Sequence, residues 1–286
     1  MTKILDGREE YKKILTAQAT QARKIASHGF AVGFTMLSVG EDDAKLQYAL
    51  ANKRACANAG INAVYEVLPA EFTTEQVVKR IMELNADPTV NGIMVLAPYP
   101  KHIDGSKINS AISPEKDVDG QTPRCISDLY ANRNGKDTFY PCTPYGAIKL
   151  LKRYNVDLDG KNVTIVGRST VVGKPMAALM LNENATVTIC HTHTKNLRAA
   201  CKNADIIVLA AGKANLLDKS MVREGVVVID FGSNFVDGKV VGDADYDGLL
   251  GIVGAITPVP GGCGPMTTAV MLENIIKAAK RQYKIR

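Results

Sequence analysis

The sequence predicts an α/β protein built as two domains. Apolar runs of strand length alternate with longer amphipathic runs of helix length along most of the 286 residues. That alternation is the pattern of a parallel, doubly wound sheet. The length allows one large or two ordinary domains. A polar, turn-rich stretch at 131–143 (ANRNGKDTFYPCT) interrupts the alternation and marks the boundary between them. We therefore expect an N-terminal domain over 1–140 and a C-terminal domain over 141–286, with the final helix packing back onto the first.

The first domain opens with an amphipathic helix over 6–27 and a buried strand over 30–39 (FAVGFTMLSV). A helix over 42–58 follows, stopped by Gly60, because a glycine just past the last turn accepts the left-handed backbone that ends helices. A strand over 62–68 leads to a helix over 73–84, capped by Thr73 or Thr74, then to a strand over 92–96 and the proline-rich run 97–102 (APYPKH). The second domain starts with a helix over 145–154. It continues as strand 162–166, helix 173–182, strand 185–190, helix 195–203, and strands 205–209, 225–230 and 251–256. A helix over 266–281 closes it.

Composition limits the function classes. The net charge is +6, from 35 basic and 29 acidic residues, a modest excess that attracts anionic substrates. Five basic residues fall in 277–286 without a basic-aromatic repeat, which reads as a solvated helix end rather than a nucleic-acid site. Cys56, Cys125, Cys142, Cys190, Cys201 and Cys263 form no C-x-x-C pair and lie in core-like runs, as reduced thiols do. The first residues lack an apolar signal core, and no window has the apolar length of a membrane span. The expectation is a cytoplasmic protein with no membrane or nucleic-acid partner.

The strongest motif is 167–175 (GRSTVVGKP), between the apolar run 161–166 and the helix that follows. A strand, a tight glycine turn and a helix N-terminus present free N–H groups and the helix dipole to an anion, an arrangement that suits a dinucleotide pyrophosphate. The pattern is not G-x-G-x-x-G, since Ser169 and Val172 stand at the second and third glycine positions. No acidic residue closes the strand over 185–190 to claim a ribose 2′-hydroxyl.

Four motifs in order, DVDG at 117–120, PCTP at 141–144, GRSTVVGKP at 167–175 and PVPGGCGPMT at 258–267, make the chain resemble the methylenetetrahydrofolate dehydrogenase/cyclohydrolase family over essentially its whole length. The resemblance implies an N-terminal folate-site domain, a C-terminal Rossmann-like NAD(P) domain, a cleft between them and a homodimer. It implies oxidation of the methylene bridge of 5,10-methylenetetrahydrofolate by hydride transfer to a nicotinamide cofactor, then hydrolysis of the methenyl product. Gly167, Arg168, Ser169 and Gly173 fall on the family's phosphate loop. Thr192 falls near the adenosine ribose, and Ser233 where the backbone meets the cofactor. Arg168 and Thr192 suit a 2′-phosphate, which favours NADP, with NAD possible.

The folate side departs from the family pattern. Where the family reads V-G-[DE]-x-P-A-S-x-x-Y-x-x-x-K, this chain reads VGEDDAKLQYALANK over 39–53. Tyr48 matches. Lys45 takes the serine position, Asn52 takes the catalytic-lysine position, and Lys53 follows one step later. Leu96 replaces the family glutamine, and Asp119, which in the family grips the pterin ring, is retained. At 100° per residue Lys45, Tyr48 and Asn52 share one helix face, and Lys53 points about a quarter-turn away. An amide at 52 cannot act as an acid or base near neutral pH. The expectation is therefore a dehydrogenase whose cyclohydrolase step is in doubt. Two alternatives stay open: a full bifunctional enzyme with Lys45 or Lys53 in the lysine role, and a catalytically silent paralogue that binds nucleotide or folate.

Other residues read more plainly. Cys190, His191 and His193 on one strand end do not close a metal tetrahedron. His102 reads as a loop residue, and Asp117 and Asp119 also suit a turn. Cys263, between two glycines with no adjacent base, shapes a loop rather than attacking a substrate.

Overall fold

The structure, a computed structural model, describes residues 1–133 and 138–285. In chain order the first half holds β1 (Lys3–Ile4), α1 (Arg8–Ser27), β2 (Gly33–Val39), α2 (Asp43–Asn58), β3 (Asn62–Leu68), α3 (Thr74–Ala86), β4 (Gly92–Val95), α4 (Gly105–Ala111) and α5 (Pro123–Tyr130). Next come α6 (Cys142–Arg153), β5 (Asn162–Val166), α7 (Gly173–Asn182), β6 (Thr186–Cys190), α8 (Leu197–Lys202) and β7 (Ile206–Leu209). The chain ends with β8 (Val227–Asp230), β9 (Asn234–Val236), β10 (Lys239–Val241), α9 (Tyr246–Leu249), β11 (Ala255–Ile256) and α10 (Cys263–Gln282). Residues 134–137, within the polar stretch read as the domain boundary, lie outside the described residues.

Two compact units form, both α/β. One is Lys12–Cys142 with Thr268–Arg286; the other is Met1–Tyr11 with Thr143–Thr267. The first unit carries a parallel sheet in the order β3-β2-β4. Strand β2 is buried along nearly its whole length, which is why it reads as a continuous apolar run rather than an alternating one. Leu37, Val77, Ile81, Leu84, Ile93 and Ile108 form a core on one side of this sheet. A capping box starts α3. The Thr73 hydroxyl accepts from the Gln76 N–H at 3.3 Å, and the Gln76 side chain accepts from the Thr73 N–H at 2.8 Å. Asp42 caps α2 by accepting from the Lys45 N–H at 2.9 Å, and Gly60, at φ +74°, lies just beyond its end. Ile93 of β4 bridges Asp117 in parallel, which brings the DVDG turn beside the end of the sheet.

The second unit carries a parallel six-stranded sheet in the order β1-β11-β8-β7-β5-β6. The chain leaves β5 for β6 on one side and returns to β7 on the other, so the topological switch point lies between β5 and β7. Ligands of open α/β sheets bind beyond the strand ends at that point. The first eleven residues, read from sequence as part of the N-terminal domain, group with this unit instead. Lys3 pairs with Ala255 and Ile4 with Ile256, making β1 an edge strand. Two paired residues leave no periodicity for a sequence reading to find. The strand expected over 251–256 is shorter, only β11. Gly251 at φ +85° turns the chain, and a Cβ at Gly254 would strike the Gly225 carbonyl oxygen. Helices α4, α5 and α9 and the β9–β10 hairpin were not expected, being too short to show a period.

Candidate active site

In the first unit the residues expected on the folate side gather at the carboxyl ends of the parallel strands. Helix α2 follows β2, the 96–100 turn follows β4, and the DVDG turn sits beside β4. Asp117 is buried and accepts from the Gln121 and Thr122 N–H groups at 3.1 and 2.7 Å, which fixes the turn that presents Asp119. Asn274 of α10 donates to the Val118 carbonyl at 2.9 Å and so holds the same turn from the helix side. Asp119 is half-buried as a residue, but its carboxyl end is enclosed. Burial, then the charge of Asp117, raises its pKa from 3.8 to about 7, while hydrogen bonds from Cys142 pull the other way. Tyr48 is 38% exposed as a residue, yet its phenol lies within the field of Asp119 and Cys142; enclosure first, then Asp119, pushes it well above the usual tyrosine range. The structure therefore brings Tyr48 and Asp119 together.

Asn52 takes its place in this group as a buried amide, 1% exposed. Its Oδ1 accepts from the Thr268 hydroxyl at 3.2 Å, and its Nδ2 is buried without a partner in good hydrogen-bond geometry, although the amide lies close enough to the Tyr48 phenol to pull that group's pKa down. A buried amide N–H left unmade is costly. It is also the group a lysine at this position would replace with a cation. Lys45 lies on the same buried side of α2, 8% exposed, and its ammonium makes no hydrogen bond or ion pair among the described residues. Lys53 is exposed, because one residue turns the helix by about 100°; it does not join the Tyr48–Asp119 group. Leu96 is buried and apolar where the family has glutamine.

One member of the group was missed in the sequence. Tyr99 of the 97–102 run carries its phenol into the field of Asp119; burial, then Asp119, lifts its pKa to about 12. Its hydroxyl donates to Asn109 Oδ1 at 3.3 Å, and its ring lies against Gly105, where a Cβ would come within 2.8 Å of it. The signal was present as an aromatic between two prolines, Pro98 and Pro100, in a turn leaving a buried strand.

In the second unit Gly167 and Gly173 meet at the switch point. Gly167 sits at φ +132°, where a Cβ would run into the Ala210 carbonyl beyond β7, and a Cβ at Gly173 would strike the Gly167 carbonyl. The two glycines let the turn pack directly against its own backbone and against the residue after β7, with no room for a side chain at either position. The Ser169 hydroxyl accepts from the Val172 N–H at 3.1 Å and the Gly173 N–H at 3.4 Å, so it shapes the start of α7. Arg168 and Thr192 are exposed at the ends of the neighbouring strands β5 and β6. The His191 imidazole pKa is lowered by desolvation first and then by the Arg168 charge. The 191–194 turn is closed by the Thr194 hydroxyl, which accepts from the His191 N–H at 2.8 Å. Ser233 is exposed between Gly232 and Asn234 beyond β8. Among the described residues no group of three or more His, Cys, Asp or Glu side chains could hold a metal ion. Cys263 is buried, and burial followed by the Asp230 charge raises its thiol far above the range of a nucleophile. His102 lies 3.1 Å from the Phe72 carbonyl, a loop contact. Among the described residues no helix is long and apolar enough to cross a membrane.

Comparison with known proteins places these two residue groups in one context. The model of the tetrahydrofolate dehydrogenase/cyclohydrolase catalytic domain matches residues 5–119. The model of the tetrahydrofolate dehydrogenase/cyclohydrolase NAD(P)-binding domain matches residues 141–283. The bifunctional protein FolD of Agathobacter rectalis is 45% identical over 285 residues, covering 98% of this chain and 100% of its own. The crystal structure of the bifunctional enzyme FolD, methylenetetrahydrofolate dehydrogenase/cyclohydrolase, from Campylobacter jejuni superposes with a TM-score of 0.95 at 40% identity, covering 98% of this chain and 99% of its own. The Trypanosoma brucei dehydrogenase-cyclohydrolase, solved with NADP cofactor and inhibitor, gives a TM-score of 0.93 at 31% identity and covers 99% of each chain.

Proposed function

Because the chain belongs to the tetrahydrofolate dehydrogenase/cyclohydrolase family, and is with it an NAD(P)-dependent dehydrogenase, we propose that it oxidises 5,10-methylenetetrahydrofolate and then hydrolyses the methenyl product. The observation that carries the oxidative half is the tight glycine turn from β5 into the N-terminus of α7 at the β5–β7 switch point, the place where open α/β sheets bind dinucleotides; backbone contacts leave no room there for a Cβ at 167 or 173. The cofactor, when bound, supplies the hydride acceptor. Gly167, Ser169 and Gly173 would hold its phosphates, Arg168 and Thr192 the adenosine ribose, and the Ser233 backbone the nicotinamide side. Arg168, with no carboxylate at the end of β6 to compete for the ribose, favours NADP, the cofactor bound in the T. brucei relative.

On the folate side Asp119 and Tyr48 hold the pterin. Tyr48 stays protonated and donates, while Asp119, close to neutrality, both accepts and donates near pH 7. Hydride transfer asks only that the reactants be aligned. Hydrolysis adds water to the methenyl carbon, opens the ring to the 10-formyl compound and releases one proton, so it gains from a positioned proton carrier. The bifunctional naming of the relatives supports that activity here. With an amide at 52, Lys45 is the cation on the buried side of α2 that can serve it. It lies seven residues away, about 10 Å along the helix axis, and has no partner of its own among the described residues. By resemblance to the family we read the enzyme as a homodimer, which light scattering of the purified protein tests.

A second reading rests on Asn52 itself. If no side chain replaces the lysine, hydride transfer persists and the methenyl product accumulates. A spectrophotometric assay with methylenetetrahydrofolate and NADP, following both nicotinamide reduction and methenyl absorbance, separates the readings. Methenyl loss faster than spontaneous hydrolysis, abolished in Lys45→Ala but retained in Lys53→Ala, supports the bifunctional enzyme with Lys45 in the role. Accumulation in the unaltered protein, relieved by Asn52→Lys, supports the second reading. No nicotinamide reduction with either NAD or NADP overturns both.

A further inference from the structure

Two buried carboxylates lie behind the proposed cofactor loops. Asp230 is the last residue of β8, opposite Leu209, the last residue of β7. Asp243 follows β10. They are 3% and 0% exposed. Asp243 Oδ2 accepts from the Ala211 and Gly212 N–H groups at 2.7 and 3.0 Å. Its Oδ1 accepts from the Lys213 N–H at 2.9 Å and from Asn234 Nδ2 at 2.9 Å. Asp230 Oδ1 accepts from the Gly232 N–H at 2.7 Å and from the Asp243 N–H at 3.0 Å, and its Oδ2 accepts from the Ala244 N–H at 2.8 Å.

Two glycines make room for this arrangement. A Cβ at Gly232 would strike Asp243, and a Cβ at Gly242 would strike Asp230. Three successive N–H groups converging on one point form a concavity that binds anions. Here the protein fills it with its own carboxylate, so the loop after β7 is set before any ligand arrives. The loop after β8 is set by the same pair: Gly232 is held by Asp230 and Asn234 by Asp243, and residue 233 lies between them. Burying two carboxylates side by side is expensive unless both are saturated with hydrogen bonds. A pair of apolar residues would fill the space more cheaply but would not fix the direction of six loop N–H groups.

We propose that Asp230 and Asp243 are positioning residues that preset the 211–213 and 232–234 loops for the nicotinamide cofactor, with Asn234 as the link to the residue-233 backbone. The inference rests on the reading that residue 233 meets the cofactor through its backbone. Its test uses the full-length enzyme with NADP.

Asn234→Ala removes one donor from Asp243, together with the same amide's longer bonds to the Val241 and Gly242 carbonyls at 3.4 and 3.2 Å, while leaving both carboxylates in place. It should raise the Kd and KM for NADP about tenfold, the size of one charge-assisted hydrogen bond. The KM for methylenetetrahydrofolate should stay close to that of the unaltered enzyme, and the Tm should fall only by the few degrees that one lost buried hydrogen bond costs. Asp243→Asn, which sets an amide N–H against N–H donors, should show a larger rise in the NADP constants if it folds. Hydrogen–deuterium exchange of the 231–235 amides with and without NADP separates the two ideas. Absence of NADP protection there in the unaltered enzyme overturns both the reading and the inference. Protection there, together with an unchanged NADP Kd in Asn234→Ala, or with Tm and both KM values shifting together, overturns the positioning role alone.

Discussion

At the scale of single residues, the site is defined by which groups carry a proton near pH 7. Asp119 has a folded-state pKa of about 7 against an ordinary 3.8, so the folded protein holds a proton that the unfolded chain gives up. The stability this group contributes is fully present below its unfolded pKa and is lost as pH rises through the folded one. Urea unfolding of the unaltered protein and of Asp119→Asn, followed from about pH 4 to about pH 8, should therefore show the unaltered protein losing ground to the variant as pH rises. A difference that stays flat across that range would mean the carboxyl titrates normally. Arg168 is exposed and would act on a ligand rather than on the fold. Arg168→Ala should weaken NADP about tenfold more than NAD, because NADP alone carries the 2′-phosphate dianion. Equal losses in titrations with the two cofactors would show that Arg168 does not read that phosphate.

At the scale of elements, the β5–turn–α7 unit depends on backbone that side chains cannot follow. Gly167 combines a φ of +132° with contact against the Ala210 carbonyl. Gly167→Ala should cost about 1–3 kcal/mol of stability and raise the KM for NADP more than tenfold, as measured by denaturation and steady-state kinetics. Normal NADP kinetics in that variant would show that the backbone at Ala210 can move aside without disturbing the loop. Helix α3 makes the opposite point. Its capping box satisfies only the helix's own backbone, so Thr73→Ala should cost about 1 kcal/mol and leave both KM values unchanged.

At the scale of the whole molecule, the chain passes between its two units more than once. Residues 268–286 belong with Lys12–Cys142, and Met1–Tyr11 belongs with Thr143–Thr267. The fragment 12–142 thus lacks its own share of α10, including Asn274, which holds the Val118 carbonyl, and the buried Ile275, Ala278 and Ala279. Expressed alone, that fragment should lack a cooperative urea transition followed by circular dichroism, and should regain one when 268–286 is joined to it through a flexible linker. A cooperative transition in the bare fragment would show that α10 is dispensable to that unit.

What the sequence by itself determined is whatever is written in neighbouring residues. Parallel strands such as β2, β5, β7 and β8 appear as contiguous apolar runs because both their faces are buried. Caps such as Thr73 and stops such as Gly60 appear because a helix end must satisfy its own backbone. The tight turn between β5 and α7 was legible for the same reason, since its two glycines answer a local backbone demand. Helical periodicity also separated Asn52 from Lys53, and the structure leaves one buried and the other exposed. Only the tertiary structure decided what depends on partners distant in the chain: the pairing of Lys3 with Ala255, the entry of Tyr99 into the field of Asp119, the orphaned Asn52 amide, and the joining of Asp230 and Asp243 behind two loops. A carboxylate's pKa and an amide's missing partner come from the groups that folding packs around them, and no local pattern records which groups those will be.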